Sequence, residues 1–316
     1  MNLIKKLSLL SYLIFLYGCV SSLEISEYNA ALKAYKEGKY QTSITYVEQA
    51  LQKDDAEPEF YVLRAKANYK IGNKNLAMED LNKSIELGAN FSAYHLRGKL
   101  FLEKNELDKA KTDLRKAYDL NPRFSELLFD LGYLEFVNGE SQLALEYYKE
   151  AARYDSRNAK TYVNIGNLYA MMGESKIAID NYSKALVLDT TDGIALYNRA
   201  NEKMILEDIN GAIEDYNNSL KIDSSNTNTL IMLAEAKLKI GDLDGALSNY
   251  NSIIKIDTTF AKAYFLRGVS QVTLEEYGNA CKDFKRAGEL GYFEAYEMIK
   301  KYCDKKILNK KKKVKK

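Results

Sequence analysis

Few groups in this chain could carry out a reaction. Its 316 residues hold one histidine, His95, and three cysteines, Cys19, Cys281 and Cys303. A single histidine excludes most imidazole-based acid–base machinery and any metal site built from several histidines. Two cysteines with one distant histidine do not make a zinc site either, so no metal is expected. There is no glycine-rich phosphate loop and no His-Glu-x-x-His. Serine and aspartate are abundant, but no nucleophile has a histidine nearby in the sequence. The chemistry that remains is pairing: thiols that can oxidise together, and arginines that can bridge to aspartates. Neither an enzyme nor a cofactor is expected.

The elements that position these groups follow from composition and periodicity. The chain has two prolines, no tryptophan and 25 tyrosines, with 46% hydrophobic and 28% charged residues. That mix is too apolar for disorder and too proline-poor for a loop-rich β protein, so it points to helix. Aligned against itself, the chain repeats about every 34 residues. One column reads Ser43, Ala77, Ala110, Ala144, Ala178, Ala212, Ala246 and Ala280. Another, earlier in each repeat, reads Ala31, Ala65, Gly98, Gly132, Gly166, Ala200, Ala234 and Gly268. Small residues at such spacings let two helices approach closely, and a glycine such as Gly72 or Gly173 breaks the helix between them. Apolar residues on the i, i+3, i+4 rhythm fill both halves, as in Leu143, Tyr147, Tyr148 and Ala151.

This pattern resembles the tetratricopeptide repeat, a helix–turn–helix unit. The best match is AKTYVNIGNLYAMMGESKIAIDNYSKALVLDTTD, residues 159–192. Eight repeats tile residues 24–294, followed by a capping helix at 295–304 and a lysine-rich segment at 305–316. The resemblance implies an all-α fold, a right-handed superhelix of stacked hairpins with an extended concave face. The family's proline near the end of each repeat survives only as Pro122. Serine or threonine after aspartate, as in Asp189-Thr190 and Asp223-Ser224, can break and cap the helix in its place.

Counting Ala159 as position 1, position 7 is arginine in four repeats: Arg64, Arg97, Arg199 and Arg267. Position 23 is aspartate in the same four: Asp80, Asp113, Asp215 and Asp283. In an antiparallel hairpin these positions lie opposite each other, which predicts a partly buried bridge inside each of the four. Loss of one partner would then cost ~3 kcal/mol. Cys281 falls in the last repeat and Cys303 in the capping helix, equally far from the turn at Tyr292. Outside the cytoplasm such a pair can form a disulfide that staples the cap. The alternative is two buried free thiols.

By the resemblance, positions 2, 5, 9, 12 and 13 of each first helix line the concave face. The central repeats place Phe129, Tyr133 and Phe136 there, then Asn167 and Met171, then Tyr197, Asn201 and Met204. Such an apolar and aromatic stripe marks a partner site, unless the residues pack against the neighbouring repeat. Position 6 adds Asp130, Asn164 and Asn198, and asparagine can donate to and accept from a peptide backbone at once. The family's clamp for an acidic chain end is not present: Val163, Asn228 and Met232 stand where it needs basic residues. His95 also falls on the inner face, as a polar contact.

The first residues read as an address. Lys5 and Lys6 precede an apolar run, residues 7–17, that is too short to span a bilayer. The run ends in Leu16-Tyr17-Gly18-Cys19, which resembles a bacterial lipobox. That implies a signal peptide at 1–18, acylation (palmitate among the chains) at Cys19, and a short tether at 19–23. Several acyl chains anchor stably where one does not. Val20 after the cysteine favours the outer membrane by the enteric sorting rule. The net charge of +2 hides an uneven distribution. Ten lysines sit at the two ends, and the remaining 36 basic residues face 44 acidic ones. A body of that sign repels phosphate backbones, so nucleic acid is not expected as a partner. Residues 305–316 are either a solvated end or a feature drawn to anionic lipid or an acidic partner. The expected function is a lipid-anchored scaffold of the bacterial envelope that binds a protein or peptide in its groove. The alternative is a binder of glycan or peptidoglycan that uses its tyrosines as stacking platforms.

Overall fold

The computed structural model describes residues 26–88 and 90–303. Cys19, the apolar run before it and residues 305–316 lie outside the described residues. The described residues form helices and turns with no strand. They fall into two compact units, one ending at Ser156 and one starting at Arg157.

The first unit holds four hairpins: α1 (26–36) with α2 (Tyr40–Leu51), α3 (Pro58–Lys70) with α4 (Lys74–Leu87), α5 (Phe91–Glu103) with α6 (Leu107–Leu120), and α7 (Ser125–Val137) with α8 (Ser141–Tyr154). The second holds four more: α9 (Ala159–Met171) with α10 (Ser175–Leu188), α11 (Gly193–Ile205) with α12 (Ile209–Ile222), α13 (Thr227–Lys239) with α14 (Leu243–Ile256), and α15 (Ala261–Thr273) with α16 (Tyr277–Glu289). A last helix, α17 (Glu294–Tyr302), packs on α16. Within each unit every hairpin packs on the next, which is the layout of an all-α repeat solenoid.

Each hairpin turns at one left-handed residue. It is glycine in five, for example Gly72 at φ 87° and Gly173 at φ 77°. In the other three it is Asn105, Glu207 and Glu275, at φ 58°, 60° and 58°. Glycine takes this conformation without steric cost and asparagine tolerates it, whereas glutamate is strained there.

The column of small residues is explained by what lies across the hairpin. A Cβ added at Gly132 would stand 2.7 Å from the Tyr148 ring, and one at Gly166 would stand 2.7 Å from the Tyr182 ring. The bare backbone at these points lets a whole aromatic ring lie between the two helices. Tyr148, Tyr182, Tyr216, Tyr250 and Phe284 occupy this slot in successive hairpins, and all are fully buried. At roughly 25 cal/mol per Å² of apolar surface, these rings dominate the core.

Where the proline is absent, aspartate closes the connection to the next hairpin. Asp189 Oδ1 accepts from the Thr191 backbone N–H at 2.9 Å and from its hydroxyl at 2.7 Å. Asp223 and Asp257 repeat this with Ser225 and Thr259. These hydrogen bonds favour the charged carboxylate and lower all three pKa values.

The four arginines reach their aspartates as bidentate forks. Arg64 meets Asp80 at 2.9 and 2.6 Å, and Arg97 meets Asp113 at 2.6 and 2.9 Å. Arg199 meets Asp215 at 2.8 and 2.7 Å, and Arg267 meets Asp283 at 2.7 and 2.6 Å. The third guanidinium nitrogen reaches the preceding hairpin: Arg97 to Asn82, Arg199 to Ser183 and Arg267 to Asn251. One side chain thus closes its own hairpin and fastens it to its neighbour. Cys281 on α16 and Cys303 at the end of α17 are joined as a disulfide, with Cα atoms 5.5 Å apart. The capping helix buries Ala295 and begins at Glu294, one residue before the expected boundary.

Candidate functional site

The first helices of successive hairpins touch one another, α3 with α5 and α5 with α7 in the first unit, α9 with α11 and α11 with α13 in the second. They therefore form the inner row of each unit, and their outward positions are the surface a partner would meet.

In the first unit, Tyr133 and Phe136 on α7 are 44% and 37% exposed. Phe129, one turn earlier, is partly buried, its ring 5.5 Å from that of Tyr148. Asp130 is also withdrawn from the surface. Its Oδ2 lies 2.8 Å from His95 Nε2, and the imidazole sits between Phe91 and Phe124. His95 thus ties α5 to α7. Further along the row, the Tyr69 hydroxyl donates to Glu103, which also pairs with Lys74 at 2.6 Å. Burial and the adjacent Glu103 raise the pKa of Tyr69. A cavity of about 230 Å³ opens between α1, α3 and α5, with Tyr28, Leu32, Val62 and Phe91 among its walls. Lys66 also lines it, bonded to the Ser92 hydroxyl at 3.3 Å, and burial lowers its pKa.

In the second unit, Met171 is 66% exposed, and Ile194 and Ile205 on α11 are similarly open. Tyr197 and Met204 are instead largely given to packing. The Tyr197 ring lies 5.9 Å from Tyr216, and Met204 joins the apolar cluster of Ala200, Ala212 and Tyr216.

The asparagines form a connected polar set. Asn198 Nδ2 donates to Asn167 Oδ1 at 2.9 Å, linking α11 to α9. The buried Tyr182 hydroxyl donates to the same oxygen at 2.7 Å. The Tyr216 hydroxyl donates to Asn201 Oδ1 at 2.6 Å. Asn167 and Asn201 therefore satisfy two core hydroxyls that burial would otherwise leave unpaired, a role sequence reading did not assign them. The same tyrosines resist ionisation, because burial raises their pKa. Asn164 is partly buried and makes no side-chain hydrogen bond among the described residues.

A signal for this role was present. Where position 24 is tyrosine in the second unit, position 9 is polar (Asn167, Asn201 and Glu235); where it is Phe284, position 9 is Val269. Glu235 does not complete the pattern, since the Tyr250 hydroxyl is buried without a hydrogen-bond partner.

Among the described residues no group of three or more histidine, cysteine or acidic side chains is placed to hold a metal ion. Nor is any described helix long and apolar enough to cross a membrane.

Family models described as tetratricopeptide repeat match residues 28–90, 95–159 and 159–192, just over half of the chain together. A BBSome complex member, BBS4 from Bos taurus, is 36% identical over 84 residues, covering 27% of this chain and 16% of that protein. Human tetratricopeptide repeat protein 6 is 25% identical over 128 residues, 40% of this chain and 25% of that one. The chain thus spans a quarter or less of the length of these relatives. Among solved structures, part of a repeat-containing protein from Cytophaga hutchinsonii superposes with a TM-score of 0.57 at 20% identity, over 75% of this chain and 97% of that one. Pseudomonas aeruginosa PilF superposes with a TM-score of 0.55 at 21% identity, over 67% and 97%. YrrB, described as having an unusual peptide-binding site, gives 0.54 at 23%, over 59% and 97%. At these identities the superpositions speak for the fold.

Proposed function

The chain belongs to the tetratricopeptide repeat family, and from that premise we propose that it is a membrane-anchored scaffold that holds a protein or peptide partner on its inner rows. The observation that carries this reading is the α9–α11 surface. There Met171, Ile194 and Ile205 stay open to solvent beside the amides of Asn167 and Asn201. An extended peptide suits that surface: its carbonyls can accept from fixed amide N–H groups while its side chains cover the apolar residues. A glycan would stack on open aromatic faces: Tyr133 and Phe136 on α7 keep exposed rings, but at the α9–α11 surface Tyr182 and Tyr216 are enclosed and Tyr197 rests on Tyr216, which favours peptide there. The chain's one histidine, His95, is paired with Asp130 between Phe91 and Phe124, which favours a binding role over a catalytic one.

The anchor rests on Leu16-Tyr17-Gly18-Cys19 and the positive, then apolar, residues before it. Acylation of Cys19 would place the repeats at the surface of a bacterial envelope membrane, the outer membrane by the residue that follows. The disulfide between Cys281 and Cys303 agrees with an oxidising compartment.

Two measurements test the two halves separately. A photo-crosslinking residue at Met171 or Tyr133 should capture a partner in intact cells, whereas one at Glu214, exposed on α12, should not. The captured mass should be lost on protease digestion; a protease-resistant adduct, or equal capture at Glu214, would sink the peptide reading. For the anchor, Cys19→Ala should move the protein from the membrane to the soluble fraction, and mature protein should carry acyl mass on Cys19. A mature chain cleaved elsewhere, without acyl mass, would refute it.

A further inference from the structure

The cavity between α1, α3 and α5 has an apolar floor, since Val62 and Leu63 on α3 are buried. Its aromatic walls are held from behind. The Tyr28 ring rests on Phe60 at 5.1 Å, and the Phe91 ring on Phe124 at 4.9 Å. Little ordering is therefore left for a ligand to impose. One cation lines this space. Lys66 is partly buried, and its Nζ donates to the Ser92 hydroxyl through a long contact of 3.3 Å. An ammonium carries three donors, and among the described residues no carboxylate pairs with this one. Burial without an offsetting charge holds its pKa below the ordinary lysine value. Asn90 also lines the cavity but is committed elsewhere: its Oδ1 accepts from the Ala93 N–H at 2.7 Å, and its amide donates to Ser84 Oγ at 3.2 Å. Glu59, the acidic residue of the wall, is exposed and stands seven residues before Lys66 on α3, about 10 Å along the helix axis.

We propose that this cavity is a binding site for a small apolar monocarboxylate, with the carboxylate on Lys66 and Ser92 and the hydrocarbon body against Val62, Leu63, Tyr28 and Phe91. Size sets the first limit. The cavity measures about 230 Å³, and an apolar cavity of about 150 Å³ already holds a benzene molecule, so a phenyl ring on a short acid chain fits. Charge sets the second. One ammonium matches one negative charge, and Glu59 at the far end of the cavity opposes another. The Ser92 oxygen accepts from Lys66, which leaves its hydroxyl proton to donate to the incoming carboxylate. A neutral molecule of the same shape would leave the ammonium without a counter-ion. A phosphate would leave the apolar walls uncovered and carry more charge than one lysine matches. The site lies in the first unit and is separate from the α9–α11 surface, so neither reading depends on the other.

The test is isothermal titration of the full chain with hydrocinnamate and, separately, with its uncharged amide. The acid should saturate a single class of site with a Kd in the about millimolar range, as suits so small a ligand. The amide should bind at least about tenfold more weakly, the difference that a charge-assisted hydrogen bond supplies. This comparison needs no variant. Lys66→Met keeps the apolar stem and removes the charge, so the acid should fall to the level of the amide while the amide holds its own affinity. Its melting point should not fall, because a desolvated ammonium is removed, and that separates lost recognition from lost folding. Leu32→Phe narrows the cavity and should weaken both probes. Absence of saturable binding by the acid, or equal affinity for acid and amide, would overturn the proposal. So would a preference for the acid that survives Lys66→Met, or affinities that Leu32→Phe leaves unchanged.

Discussion

Replacing Arg97 by leucine should damage the protein far more than the same change at Arg199, although the two residues occupy the same position of the repeat. Asp113 is 3% exposed at its side chain, and its cation among the described residues is Arg97, which is 19% exposed. Removing the guanidinium leaves a carboxylate in the core without a counter-ion, a change that costs about 3–5 kcal/mol for a buried pair. Partial exposure of the arginine admits some water, so the lower end, about 3 kcal/mol, applies. Asp215 is as deeply buried but has a second cation, with Lys203 Nζ at 2.8 Å. At an effective dielectric constant near 20, a unit charge at such a distance retains several kcal/mol of attraction. Arg199→Leu should then cost only ~1 kcal/mol, with Lys203 holding the carboxylate. In an array of this size each kcal/mol lowers the midpoint by roughly 2–4 °C, so the two variants should differ by roughly 4–8 °C in circular-dichroism melts. Hydrogen exchange should place the damage in α5 and α6. Arg97→Leu combined with Asp113→Leu should recover most of the loss, because an apolar pair replaces a buried ion pair at little cost. Equal melting points for the two single variants, or no recovery in the double one, would refute the assignment of the loss to an unpaired carboxylate.

Other consequences follow from individual side chains. Tyr250→Phe removes a buried hydroxyl that has no partner and should stabilise the second unit by up to ~1 kcal/mol, whereas Tyr182→Phe removes one of the two donors to Asn167 Oδ1, leaving Asn198, and should destabilise it by ~1 kcal/mol; urea titration distinguishes the signs. Burial pushes the Tyr250 pKa up to about 12 in the folded chain, against 10.0 unperturbed. Its contribution is therefore complete below pH 10 and is lost as pH rises toward about 12, so alkaline unfolding should begin in that window and be milder in Tyr250→Phe. Glu207→Gly relieves a left-handed backbone and should raise stability by ~1 kcal/mol, less any contribution from the exposed contact of Glu207 with Lys239; a lower melting point would show that the contact outweighs the strain. Cys303→Ser should free α17, costing ~3 kcal/mol in the chain-entropy account and exposing its amides to exchange under non-reducing conditions, and a reductant should do the same to the parent protein.

The arginine–aspartate geometry was legible in the sequence because two positions varied together across eight copies of one hairpin. Gly132 and Gly166 were legible for a similar reason: small residues recur wherever two helices come close, and the structure adds only that the space goes to a tyrosine ring. The inner surface was harder to read. Phe129 and Tyr197 have the residue type of a binding stripe, yet each ring rests on the aromatic residue behind it. Residue type alone does not separate a contact made with a partner from one made with the core. Asn167 and Asn201 carry a further demand that residue type does not show, since each satisfies a hydroxyl fifteen positions further on. Only pairing position 9 with position 24 reveals that demand. Asp130 looked like a rung beside Asn164 and Asn198, but His95 of the preceding hairpin draws it inward.

The third nitrogen of each guanidinium gives the second unit an uneven grain. Arg199 clips α11 to α10 and Arg267 clips α15 to α14, but Leu233 on α13 offers no such clip to α12. The hairpins are thus riveted two by two, with an unriveted seam at α12–α13. A pulling force applied to the two ends of this unit should open that seam first and release the halves as couples instead of single hairpins. A partner long enough to straddle the seam would splint it, so the mechanical resistance of the unit would report directly on occupancy.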